Sequence, residues 1–302
     1  MKPMGASQVA ILADPNSRCG EAPLWDDSHK QLYWSDCGDC RAYVLDWATG
    51  RWNVFGDAIE INGWVLDDNG SFVITNNSGF WQWSGEGKLR QIAAEVDGHP
   101  CRLNDCVADE RGRVLSGSWF YDPCKPYPLG RLLSLGVDGR VRVVDEGFQL
   151  ANGLAFSPDN LTLYFADSAR RCVWAYDYDI ETGTATNRRV HASIPPECGL
   201  PDGLAVDCQG HLWVAEWYGS RVAGYNFNGE LVQSLPVPAK QISSVAFAGP
   251  ALGYMVITSA GRSEPMPIMP PGYDAESGYF GGSLFSIPTP VPGIRCHRSR
   301  IT

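Results

Sequence analysis

The chain has few histidines, few charges and no long apolar run. Its five histidines, His29, His99, His191, His211 and His297, show no ligand-type spacing. No HExxH is present, which excludes a zincin centre. The absence of GxSxG excludes a nucleophile elbow, and the lack of a Walker or GxGxxG loop excludes the common nucleotide cradles. Charged residues make up 19% of the chain, with 24 Lys+Arg against 34 Asp+Glu and a net charge of −10. That balance argues against a phosphate-binding face, so neither nucleic acid nor an anionic membrane is expected as a partner. The uncharged stretch 241–261 contains Pro250 and three glycines and reads as a buried hairpin, not a span. The start, Met1 to Gln8, has no apolar signal-peptide core, so the expected location is cytoplasmic and the ten cysteines are expected as free thiols. Cys37-Gly38-Asp39-Cys40 is one CxxC, but a structural zinc site would want a second pair, and none follows.

What is present is turn chemistry and apolar strand material. The 302 residues include 33 Gly and 21 Pro, a load that disfavours long helices, and 44% are hydrophobic. One pattern recurs: a polar residue, an apolar strand, a turn rich in Asp, Asn or Gly, and a second apolar strand. The copies open at Glu21, Asn62, Asn104, Asn152, Asp202 and Ser244, spaced by 41, 42, 48, 50 and 42 residues. Third and fourth strands follow most copies. The sixth has a third strand at 283–287 and no fourth, while 8–13 forms an unassigned strand at the other end. Repeats of this length and content predict an all-β, six-bladed β-propeller with four-stranded antiparallel blades, its ring closed by the N-terminal strand. Linked β-sandwiches are the competing architecture, and the absence of linkers disfavours them. The expected organisation is one domain over 1–302, with blades from about 15 to 295 and a basic, mobile tail at 296–302.

In such a ring the first strand of each blade lies nearest the axis. The six polar openers then converge on the channel mouth. Two carboxylates with carboxamides form an all-oxygen set, which suits a hard divalent cation. The second strands return to the same face at Asp36, Asn76, Ser118, Asp167, Glu216 and Ser259, a second ring expected to orient the first. The bland reading of each residue is a turn or a solvated strand end.

Four segments in order carry a resemblance: Gly20-Glu21-Ala22-Pro23-Leu24-Trp25, Arg102-Leu103-Asn104-Asp105, Asn152 to Asp159, and Pro201 to Asp207. With them the chain resembles the family of senescence marker protein (regucalcin), gluconolactonase and luciferin-regenerating enzyme, from about Gly20 to Ile287. The resemblance implies one divalent metal, Ca, Zn, Mg, Mn or Fe(II), held by Glu21, Asn152 and Asp202. It implies that Arg102 and Asn104 bind substrate and that Asp202 also serves as general base. The implied reaction is hydrolysis of a sugar lactone, such as a glucono-, xylono- or arabinonolactone, to the aldonic acid. An acidic substrate contact of the family falls near Asp122, in a loop 118–128 whose Pro and aromatic content departs from the family. Trp64, Trp119, Tyr121 and Trp217 are candidates for stacking on a sugar. The alternatives are a calcium-binding regulatory protein without turnover and a hydrolase of other activated esters. A monomer or weak homo-oligomer is expected.

Overall fold

The computed structural model describes residues 9–119, 130–261 and 268–302. Six four-stranded antiparallel sheets follow one another along the chain. The first strand, β1 (Ala10–Ala13), belongs to the last sheet. Blade one is β2 (Gly20–Asp26), β3 (Gln31–Asp36), β4 (Arg41–Asp46) and β5 (Trp52–Asp57). Blade two is β6 (Gly63–Leu66), β7 (Phe72–Asn76), β8 (Gly79–Trp83) and β9 (Arg90–Ala93). A short hairpin, β10 (Glu95–Val96) and β11 (His99–Pro100), precedes blade three: β12 (Leu103–Ala108), β13 (Val114–Ser118), β14 (Gly130–Leu135) and β15 (Val141–Phe148). Blade four is β16 (Ala151–Phe156), β17 (Thr162–Asp167), β18 (Cys172–Asp179) and β19 (Thr184–Ser193). Blade five is β20 (Leu200–Val206), β21 (Leu212–Trp217), β22 (Arg221–Tyr225) and β23 (Leu231–Pro236). Blade six is β24 (Ile242–Ala248), β25 (Tyr254–Ser259) and β26 (Leu284–Pro288), completed by β1 through Ala10 opposite Ser286 and Ile11 opposite Phe285. The architecture is a six-bladed propeller closed by its N-terminal strand. Closure covers the two apolar blade faces that a linear array of sheets would leave open.

Both faces of the inner strands are buried, because each blade packs against a neighbour on either side. Six apolar clusters result, one at each blade interface. At the closing interface Ala13, Val256 and Leu284 of blade six meet Trp25, Trp34 and Tyr43 of blade one. Near the axis the packing is closer still. A Cβ added to Gly153 would lie 2.4 Å from the Asp202 carbonyl, and one on Gly203 would lie 2.1 Å from Ser244 Oγ. The glycine after an opener therefore serves the close approach of neighbouring blades, not a turn.

The tail does not behave as the expected mobile appendage. It crosses the end of the channel opposite the openers and joins the turns of several blades. The Cys208 amide donates to the Pro292 carbonyl at 2.9 Å, and His297 Nε2 lies 2.9 Å from Asn160 Oδ1. Arg298 pairs with the buried Asp26 at 2.8 Å, and Ser299 Oγ donates to the buried Asp67 at 2.7 Å. Arg300 donates its amide to the Gly112 carbonyl at 3.0 Å. Ile301, 4% exposed, enters the cluster between blades two and three. Asp26 and Asp67 explain the attachment, since each is a buried turn carboxylate with acceptor capacity left after bonding its own turn. Truncating Ile301 to Ala should lower stability by about 2–5 kcal/mol in urea unfolding, the usual range for a buried aliphatic side chain. A loss within ~0.5 kcal/mol, typical of a surface position, would show the tail to be unattached.

Candidate functional site

Five of the six inner hairpins are irregular at the same place. The register between first and second strands slips at Glu21–Leu24, Leu103–Cys106, Ala151–Leu154, Pro201–Leu204 and Ile242–Ser244. Each slip contains or adjoins an opener. A bulge bends the strand and re-aims its side chains, which turns the openers toward the axis.

Hydrogen bonds stitch the bulges into a ring. Asn62 Nδ2 donates to the Leu103 carbonyl at 2.8 Å, and Asn104 Nδ2 donates to the Ala151 carbonyl at 3.0 Å. Asn152 Nδ2 donates to Ser168 Oγ at 3.2 Å, and that hydroxyl donates to the Pro201 carbonyl at 2.6 Å. A Trp217–Gln241 bridge joins blade five to blade six, and Ser243 Oγ donates to the Gly20 carbonyl of blade one. Asn62 and Asn104 therefore hold neighbouring blades together through their amide nitrogens. Their Oδ1 atoms are the remaining polar capacity of those side chains.

The second ring works differently from expectation. Asp36 accepts the amides of Arg18 and Cys19 at 2.9 Å, and Asp167 accepts those of Gln149 and Leu150 at 3.1 Å. Glu216 takes the Arg221 guanidinium in a two-pronged pair at 2.7 and 2.9 Å. Asp36 and Asp167 fix the loops that enter the first strands, so their influence on the openers passes through backbone. Ser168, one residue beyond the ring, bonds the side chain of the opener Asn152.

Glu21, Asn152 and Asp202 are brought together. Burial pushes the Glu21 carboxyl well above its usual range, and the charges of Asp202, Cys37 and Asp105 push the same way. Burial likewise raises Asp202 well above the carboxylate range, aided by Asp105, while a hydrogen bond from Asn152 opposes the shift. Asp202 Oδ1 is buried without a hydrogen-bond partner. Asp105 is a third carboxylate of the channel; burial pushes it up to about 7, although its Oδ1 accepts the Cys106 amide at 2.9 Å. Its signal was present in the Asn104-Asp105 pair, but the repeat pattern singled out Asn104, which opens its copy. Beneath the carboxylates the channel holds a cavity of about 120 Å³, walled by residues such as Leu24, Val107 and Leu204 and floored by Ile294 to His297.

Among the described residues no three His, Cys, Asp or Glu side chains stand in a metal-holding group. The set here is two carboxylates and a carboxamide, and its chemistry fits a hard divalent cation. A buried, unpartnered carboxylate oxygen facing further negative charge is the deficit a cation would neutralise.

Arg102 lies exposed just before β12, with its carbonyl accepting the Trp119 amide at 2.9 Å. Trp119 Nε1 donates to Asn77 Oδ1 at 3.1 Å. Trp64 is a core residue, stacked on Phe72 and donating to the Ala22 carbonyl at 2.8 Å. Trp217 is buried against Leu200, Tyr218 and Ala260. Asp122 and Tyr121 lie outside the described residues.

The region 19–261 matches the family described as SMP-30/Gluconolactonase/LRE-like region. The chain belongs to that family. It is 36% identical over 253 residues to pentonolactonase XacC of Haloferax volcanii, covering 84% of this chain and 85% of that protein. It is 29% identical to regucalcin of Gallus gallus, over 85% of this chain and 88% of the relative. A solved luciferin-regenerating enzyme superposes with a TM-score of 0.86 at 26% identity, covering 97% of this chain and 99% of the other. No helix among the described residues is long and apolar enough to cross a membrane.

The raised carboxyls set a pH dependence. In the unfolded chain Asp202 and Glu21 lose their protons near 3.8 and 4.5, whereas the folded site holds them to higher pH. Without a cation their destabilisation is absent below about pH 4 and grows as pH rises toward the folded values. Asp202→Asn should therefore raise the urea midpoint of chelator-treated protein at pH 7.5, with a smaller gain at pH 4.5. An equal or lower midpoint at pH 7.5 would show that the carboxylate is not frustrated.

Proposed function

We propose that this protein is a metal-dependent lactonase that opens a sugar lactone to the aldonic acid, with pentonolactones as the preferred class. The observation that carries the reading is the half-buried Glu21 beside the buried Asp202, whose Oδ1 has no hydrogen-bond partner. The likeness to a protein named pentonolactonase supports the substrate class.

Glu21, Asn152 and Asp202 would hold one divalent cation, with calcium, magnesium or manganese best suited to oxygen donors. When bound, the cation supplies Lewis-acid polarisation of a carbonyl. Asp202 takes a proton from the attacking water at a carboxylate oxygen. The water oxygen bonds to the lactone carbonyl carbon, the ring C–O bond breaks, and the leaving alkoxide receives the proton that Asp202 took from water. Arg102 presents guanidinium donors to the lactone oxygens from the rim, and Asn104 offers Oδ1 to a sugar hydroxyl. Ser168 Oγ accepts from the Asn152 amide nitrogen, which fixes the orientation of that side chain beside Asp202.

Acid release from a panel of pentono- and hexonolactones, with and without chelator, tests the reading. Chelator-sensitive acceleration, largest on pentonolactones, is expected; none on any lactone sinks it. Metal binding without turnover would favour a regulatory calcium binder. Asp202→Asn should cost about 10²–10⁴-fold in kcat/KM, the usual worth of general-base help. Ser168→Ala should weaken metal affinity about 10–100-fold in calorimetry, as losing a ligand-orienting partner does. Unchanged affinity would remove Ser168 from the site.

A further inference from the structure

The sequence draws attention to Cys37 and Cys40, but the fold gives Cys37 a different neighbour. Gly20 pairs with Asp36 at the end of the β2–β3 hairpin, so the next residues, Cys19 and Cys37, face each other across the strands. The Cys37 amide donates to the Cys19 carbonyl at 3.0 Å. Directly opposed residues on antiparallel strands have Cα atoms about 4.5–5.5 Å apart, inside the roughly 4.4–6.8 Å range that disulfides span. The two thiols lie close enough to influence one another. Both cysteines are free and partly exposed.

The surroundings hold this pair still. Asp36 accepts the amides of Arg18 and Cys19 at 2.9 Å and those of Gly38 and Asp39 at 3.2 Å, bracing the backbone on both sides. Cys19 also packs against Leu200, Trp217, Tyr218 and Ala260 at the rim. Cys40 sits at the far end of the turn with φ of 54°, and its leading charged neighbour is Glu60, not Cys37. Cys19 lies two residues before Glu21, directly ahead of β2.

We propose that Cys19 and Cys37 form a reversible oxidation site, a cross-strand disulfide at the channel rim that slows turnover by displacing Glu21. Two S–H bonds break, one S–S bond forms, and two electrons pass to the oxidant. Hydrogen peroxide is thereby reduced to two waters, or oxidised glutathione to two glutathione thiols. A dithiol reductant reverses the change. Bond formation brings the sulfurs to about 2.05 Å and pulls the strand end that carries Glu21. Intracellular disulfides of this kind are typically transient and sensing. The effect on turnover rests on the lactonase reading; the bond itself does not.

The experiment treats reduced protein with oxidised glutathione, digests it with trypsin without reductant, and maps the peptides. Peptide 19–30 is expected to be linked to peptide 31–41 in the wild type and in Cys40→Ser, but not in Cys19→Ser or Cys37→Ser. Turnover of a pentonolactone should fall roughly tenfold on oxidation, recover with dithiothreitol, and be insensitive to oxidant in Cys37→Ser. A Cys37–Cys40 bond confined to peptide 31–41, no bond, or a linked protein with unchanged turnover would each overturn the proposal. If the reduced protein opens no lactone, the function reading fails, and the peptide map still decides the oxidation site.

Discussion

Six backbones meeting on one axis is the constraint from which the rest of this structure follows. Blades wide enough to carry four strands at the rim leave little room at the centre. Side chains there must be absent, as at Gly153 and Gly203, or polar and bonded to a neighbouring blade, as at Asn62 and Asn104. The bulges at the openers meet the same demand, because each shifts one strand past its partner where the blades crowd. A ring of hydrogen bonds between blades is therefore a packing solution before it is a site.

That solution leaves two openers out. Glu21 and Asp202 cannot donate to a neighbouring carbonyl as an amide can. Placed among Asn62, Asn104 and Asn152, they bring acceptor oxygens to a position that supplies few donors. Burial then raises their carboxyls, and Asp105 adds a third negative group. A protein optimised for stability alone would have amides at both positions. Perturbed carboxyls of this kind cluster at functional sites, and the proposed reading draws on that tendency.

The fold was legible because the repeat is long, regular and punctuated by turns. The openers were legible for the same reason: a residue at the same place in every copy falls near the start of every inner strand. What could not be read were features of one copy. Ser168 follows the strand end of blade four and has no repeated signature. Asp105 faces the channel because a bulge between Leu103 and Cys106 breaks the alternation that periodicity assumes. The CxxC spacing obscured the Cys19–Cys37 pair, since cross-strand register is a long-range property. The basic residues of the tail suggested a solvated end, whereas Arg298 finds the buried Asp26 and the neutral Ser299 and Ile301 are themselves buried.

The tail also bears on the chemistry. By flooring the channel with Ile294 to His297 it leaves the opener end as the mouth and keeps an apolar space beneath the carboxylates. An open channel would let bulk water solvate Glu21 and Asp202 from below and relax their raised pKa values. With the far end closed, the walls below offer Leu24, Val107 and Leu204 and little compensation for charge. Under the proposed reading this makes the cation the natural partner of the carboxylates and confines lactone, water and product to one face. Attachment of the tail at Asp26 and Asp67, on the far side of the molecule, thus contributes to the electrostatics of a site it does not reach.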